Sequence, residues 1–133
     1  MGRLVVLRLP LDKPLISMNL GRGAHWSQIK QARDTTHLLM KAAIRKAKLT
    51  TLPTPVRITI IWFAPNRHLR DPDGLALQVK MCIDSLVKEK VIPDDNSTKV
   101  YDVTCGPIVV ARDDPRLELH IRSMDGPGDL RGD

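Results

Sequence analysis

Nine consecutive residues, Val56-Arg57-Ile58-Thr59-Ile60-Ile61-Trp62-Phe63-Ala64, constrain the fold of this chain most. They are dense in β-branched and aromatic side chains and are bounded by Pro55 and Pro65, which reads as a strand. Alternation places Val56, Ile58 and Ile60 on one face and Arg57 and Thr59 on the other. Residues 74–90 change period: Leu75, Val79, Cys82, Ile83, Leu86 and Val87 form one apolar face of a helix.

The rest of the chain fits around this strand and helix. Residues 3–9 read as a first strand, and residues 10–25, with two prolines and two glycines, as a long loop that carries Arg22 and His25. Residues 26–48 read as a helix with Ser27 as its N-cap. Its apolar stripe is Ile29, Ala32, Thr36, Leu39, Ala43 and Ala47, broadened by Leu38, Met40 and Ile44. The opposite face holds Lys30, Arg33, Lys41, Arg45, Lys46 and Lys48, which suits either solvent or a phosphate backbone.

Residues 50–55 form a stiff proline linker. Residues 98–104 and 107–111 are strand-like runs around Gly106-Pro107, either two strands or one bent strand. Residues 116–122 alternate with Leu117, Leu119 and Ile121 inward. Residues 123–133 read as a frayed tail, whose closing Arg131-Gly132-Asp133 is taken as chance. The expected architecture is a single α/β (α+β-like) domain, with a mixed sheet of about four strands and two helices packed on it.

A length of 133 residues suits one domain. The net charge of +6 favours an anionic partner. The only aromatics are Trp26, Trp62, Phe63 and Tyr101, too few for a single-strand stacking platform or an RRM. Cys82 and Cys105 form no CxxC pair, so a zinc ribbon is not expected, and idle thiols in a reducing compartment are. Neither a signal peptide nor a run of the roughly 20 apolar residues needed for a membrane span is present, so a soluble, cytoplasmic protein is expected.

Against this basic background stands an acidic cluster. Asp71 and Asp73 flank Pro72 beyond the end of the strand-like run 56–64, and Asp94-Asp95 follow the helix. In extended chain, positions i and i+2 point to one side, so Asp71 and Asp73 can converge on one hard cation such as Mg²⁺ or Mn²⁺. Asp-Pro-Asp-Gly is also an ordinary turn and cap sequence. On a regular helix Lys80 and Asp84 share a face with Asp73, and Lys80 can lean back toward the carboxylates. An exposed i,i+4 pair between Lys80 and Asp84 is the plainer alternative. Adjacent carboxylates point apart, so only one of Asp94 and Asp95 is expected at the same ion.

Taken together, Arg70-Asp71-Pro72-Asp73-Gly74-Leu75, Lys80, Ile83-Asp84-Ser85-Leu86 and Val91-Ile92-Pro93-Asp94-Asp95 resemble the core signature of RusA-like Holliday-junction resolvases. In that family an Arg-Asp-x-Asp-Asn-Leu element precedes a helix carrying a lysine and an Asp-x-Leu step, and an Asp-Asp pair follows. The resemblance is densest over 65–100 and implies a RusA-like endonuclease domain over residues 1–122. It implies Asp71, Asp73 and Asp95 as ligands of Mg²⁺ or Mn²⁺, and Lys80 as the catalytic lysine. It also implies a homodimer that hydrolyses opposed strands of a four-way DNA junction in recombination and repair. Proteins of this kind occur in phages and bacteria, so a phage origin fits.

Arg67, Arg70 and Arg22 are the candidate DNA contacts beside Lys80, whereas His25 and His68 read as solvent-exposed side chains. Gly74 stands where many members have Asn, and the step from Asp73 to Lys80 is longer than in the shorter members. A catalytically degenerate DNA-binding protein of the same fold, or an interaction domain whose acidic turns are only caps, are the competing expectations.

Overall fold

The strand at residues 56–64 pairs on both edges. In the computed structural model, which describes residues 3–16 and 26–124, the elements run β1 (Leu4–Leu9), α1 (Trp26–Lys46), β2 (Val56–Ala64), a 3₁₀ turn (Pro72–Leu75), α2 (Ala76–Lys88), β3 (Val100–Val110) and β4 (Arg116–Ser123). They form one domain with a four-stranded sheet in the order β1-β4-β2-β3. β4 is antiparallel to both β1 and β2, and β3 is parallel to β2. Parallel neighbours need a crossover, and α2 supplies it between β2 and β3.

Register explains why the alternation was so clean. Val5, Ile121 and Ile58 form one row across β1, β4 and β2, and Leu7, Leu119 and Ile60 form the next. All six are buried, together with Met40 and Ile44 of α1 and Val79, Cys82, Ile83 and Leu86 of α2. Both helices therefore cover one face of the sheet. The other face carries Arg57, Glu118, His120 and Arg122, positions that alternate with the buried ones. Burying a Leu or Ile is worth about 1.5–3 kcal/mol, so a one-residue slip of β4 would exchange three such side chains for polar or charged ones.

A second, smaller cluster joins the segment before α1 to the helices: Ile16, Ala32 and Met81 are buried together. Gln78, fully buried in α2, completes that joint. Its Oε1 accepts the Leu15 N–H at 2.7 Å, and its Nε2 donates to Thr36 Oγ1 of α1 at 2.8 Å.

The runs at 98–104 and 107–111 are one strand, β3, as one of the two expectations had it, and its register against β2 slips between Ile60 and Trp62. Several other element boundaries differ from expectation. The helix expected from 74 to 90 begins as a 3₁₀ turn, because Pro72 sits in its first turn and Gly74 N–H reaches back to Asp71 O at 3.0 Å. Regular α-helical phase therefore does not extend back to Asp73. Ser27 lies inside α1, which starts at Trp26, and Leu38 is 67% exposed rather than part of the apolar stripe. Ser123 is not tail: it pairs with Val56, is buried, and its N–H bonds Arg3 O at 2.8 Å. Arg22 and His25, and the tail from 125 onward, lie outside the described residues. Among the described residues no helix is long and apolar enough to cross a membrane.

Candidate active site

The connection from β2 to α2 is built to hold a turn in place. Arg70 stacks over the Trp62 ring, 4.5 Å from its centroid, while its Nη1 donates to Asn66 O at 2.8 Å and His68 O at 3.0 Å. A further bond runs from Nη2 to Asn66 Oδ1. Trp62 is itself fixed by Nε1–H donating to Asp12 O at 2.9 Å. Arg70, expected at the DNA, is thus largely occupied in closing its own loop, because the loop's carbonyls converge on the planar guanidinium. Arg67, by contrast, is exposed, as is His68.

Asp71 follows in extended conformation at φ −100°, ψ 128°, which the ensuing proline favours. The Pro72–Leu75 turn then rests on β3. Gly106 there has φ +104°, and a Cβ at that position would stand 3.2 Å from Pro72 Cβ. A glycine inside a strand marks close approach of another backbone, and here the visitor is the carboxylate-bearing turn. Asp73 lies near enough to β3 for its charge to act on Cys105. Burial first, and that charge second, push the Cys105 thiol above its usual range.

The turn-and-cap reading makes a test of these carboxylates. A capping aspartate gives its oxygens to backbone N–H groups. Asp71 occupies the cap position of the 3₁₀ turn, yet its side chain makes no capping bond. Among the described residues neither the Asp71 nor the Asp73 side chain has a hydrogen bond or ion pair, and both are exposed.

The second acidic pair divides cleanly. Asp94 is spent on its own turn: Oδ1 accepts the Asp95 N–H at 2.7 Å, and Oδ2 accepts from Asn96 Nδ2 at 3.1 Å. Asp95 faces α2 instead, with Oδ2 3.5 Å from Lys80 Nζ. Lys80 also stands 3.5 Å from Asp84 Oδ1 one turn on. It therefore points toward Asp84 and Asp95 rather than back to the Asp71–Asp73 turn. The expected i,i+4 pair with Asp84 is present, the expected lean toward Asp71 and Asp73 is not, and the contact with Asp95 is an addition that only the tertiary structure supplies. Each pair is exposed, with the lysine side chain 65% accessible, so neither adds more than a few tenths of a kcal/mol.

Asp71, Asp73 and Asp95 do not converge. Among the described residues no three Asp, Glu, His or Cys side chains draw together as a metal cluster. Bare carboxylates repel one another, and Asp95 has a nearer cation in Lys80. The donor set nevertheless fits Mg²⁺ or Mn²⁺ in kind, because all three are uncommitted or weakly held, exposed oxygen ligands. What the sequence did not reveal is the scaffolding: Asn66, Trp62 and Gly106 position the site. Of these, only the glycine within a strand pattern was a readable signal.

No family model matches this chain, and no curated protein is significantly similar to it.

Proposed function

We propose that this protein is a metal-dependent, structure-selective DNA endonuclease of the RusA type. It hydrolyses opposed phosphodiesters of four-way junctions as a homodimer in the cytoplasm of a bacterium or a phage-infected cell. The observation that carries this reading is the pairing of Lys80 with Asp95 across 15 positions of sequence, together with two exposed aspartates before α2 whose side chains cap nothing. It supports a site divided between the turn before α2 and the loop after it, as the resemblance implies.

In this reading Asp71, Asp73 and Asp95 would hold Mg²⁺ or Mn²⁺, and the metal would supply a water of lowered pKa for attack on phosphorus. Lys80, released from Asp95, turns its ammonium to the phosphate and offsets the charge that develops there. Asp84 retains a hold on Lys80 during that exchange. Arg70 keeps the turn in place through Trp62 and Asn66, while exposed Arg67 meets DNA; Arg22 is assigned the same role from the sequence.

The test is incubation with a labelled four-way junction, with and without Mg²⁺, against a linear duplex. Mg²⁺-dependent paired nicks in the junction alone are expected. Asp71→Asn should abolish cutting while junction binding remains, and equal cutting by this variant and the parent would overturn the assignment.

The open arrangement of the carboxylates favours a second reading, a junction-binding protein without catalysis. It predicts binding with no cleavage at any Mg²⁺ or Mn²⁺ concentration. An interaction domain is set apart by melting: a rise with millimolar Mn²⁺ that vanishes in Asp73→Asn excludes it.

A further inference from the structure

The two helices end side by side and in the same way. At the end of α1, Lys48 N–H bonds Arg45 O and Leu49 N–H bonds Ile44 O, both at 3.0 Å. At the end of α2, Lys90 N–H bonds Val87 O at 3.0 Å and Val91 N–H bonds Leu86 O at 2.9 Å. Each is a Schellman-type stop, with buried Leu49 or Val91 as its apolar anchor. The two stops are tied together: Leu52 N–H donates to Val91 O at 2.9 Å and Thr51 Oγ1 to Lys90 O at 3.4 Å.

Such a stop requires a left-handed residue, the place of glycine. Here both are lysine, Lys48 at φ +54° and Lys90 at φ +62°. Attraction to the helix C-terminal dipole accounts for the basic residues of the last turns, Arg45, Lys46 and Lys88. It does not account for an L side chain in a strained conformation at both stops.

The charge is also without ion pairs. On the outward sheet face Arg8 pairs with Asp114, Arg57 with Asp102 at 3.2 Å, and Arg116 with Glu118 at 2.7 Å, while Arg122 is exposed with no ion-pair partner among the described residues. At the helix ends Arg45, Lys46, Lys48, Lys88 and Lys90 are all exposed, and none has an ion-pair partner among the described residues. Glu89 nearby is held by His37 Nε2 at 3.2 Å; Lys88 also lines a cleft with Asp34 and Asp84, and its charge adds to that of Lys30 in lowering the Asp34 carboxyl.

We infer that the paired helix ends form a phosphate-backbone contact for duplex DNA, separate from the carboxylate site. This rests on the nuclease reading for its choice of polyanion. α2 with the 3₁₀ turn before it and the stop after it places Lys90 about 25 Å from the Asp71–Asp73 turn. At 3.4 Å per base pair that is about seven base pairs, so one arm would be gripped about two-thirds of a turn from the cut.

The decisive variant is Lys48→Gly with Lys90→Gly, which removes two charges while giving each stop its preferred residue. Binding to a labelled four-way junction and to linear duplex is followed by anisotropy over a salt series without divalent metal. We expect weaker binding to both DNAs, a slope of log affinity on log salt reduced by about 1.8, and a melting temperature unchanged or raised. Lys46→Gln with Lys88→Gln, which leaves the stops intact, should weaken binding in the same direction.

An unchanged slope and affinity in both double variants overturns the inference, as does a parent protein that binds no DNA. Lysine-dependent binding to phosphatidylserine vesicles in place of DNA overturns it as well. An unchanged slope in a protein that cuts junctions removes this surface and leaves the nuclease reading. A reduced slope in a protein that cuts nothing does the reverse.

Discussion

Gly106 is the residue on which the candidate site leans, although it carries no chemistry. Its φ of +104° disfavours any L side chain, and a Cβ would meet Pro72 at 3.2 Å. Gly106→Ala should therefore cost about 1–3 kcal/mol in urea unfolding and displace the Asp71–Asp73 turn, so that cutting falls further than stability alone explains. Lys80 should behave in the opposite sense. Its two ion pairs are exposed, so Lys80→Ala should leave unfolding within about 0.5 kcal/mol of the parent. On the proposed mechanism it should lower the cleavage rate on the order of a hundredfold, measured in single-turnover assays. Cys82 offers a check on the core: burial pushes its thiol up to about 12, so thiol reagents should not reach it until the protein unfolds.

Between elements, the joint of α1 and α2 depends on one polar side chain among apolar ones. Gln78 answers Leu15 N–H and Thr36 Oγ1 at once, so its removal strands two polar groups. Gln78→Leu is expected to destabilise by about 1–3 kcal/mol. It should also raise hydrogen exchange in residues 11–16 before the helices themselves, and uniform loosening would contradict this. The hydrophobic period of α2 was legible in sequence because it faces the sheet. Its start was not, because Pro72 and the Gly74–Asp71 bond make a 3₁₀ turn whose 3.0-residue period breaks the phase assumed from Asp73 to Lys80. Likewise β3 read as two runs because its Gly106-Pro107 interruption is shaped by a partner, the 72–75 turn, that lies far away in sequence.

Across the molecule, acid should weaken the outward sheet face. Burial works to raise the Glu118 carboxyl, but hydrogen bonds from Arg116 Nε at 2.7 Å and His120 Nε2 at 2.9 Å hold it below the usual carboxylate range. Asp114 is lowered chiefly by its bond from Arg8. A depressed folded-state pKa contributes stability above the ordinary carboxylate value, and that stability is lost as pH falls through the folded value. Urea midpoints should thus drop below about pH 4.5, less steeply in Glu118→Gln. The sequence by itself determined what repeats along the chain: the alternation of β1, β2 and β4, the apolar stripes of two helices, and an acidic motif within a basic protein. Those patterns are local, set by which side chains must leave water. Only tertiary structure decided that β4 inserts between β1 and β2, that Asp94 serves its own turn while Asp95 meets Lys80, and that two lysine-capped helix ends lie together. These are distances between residues far apart in sequence, and no local period encodes them.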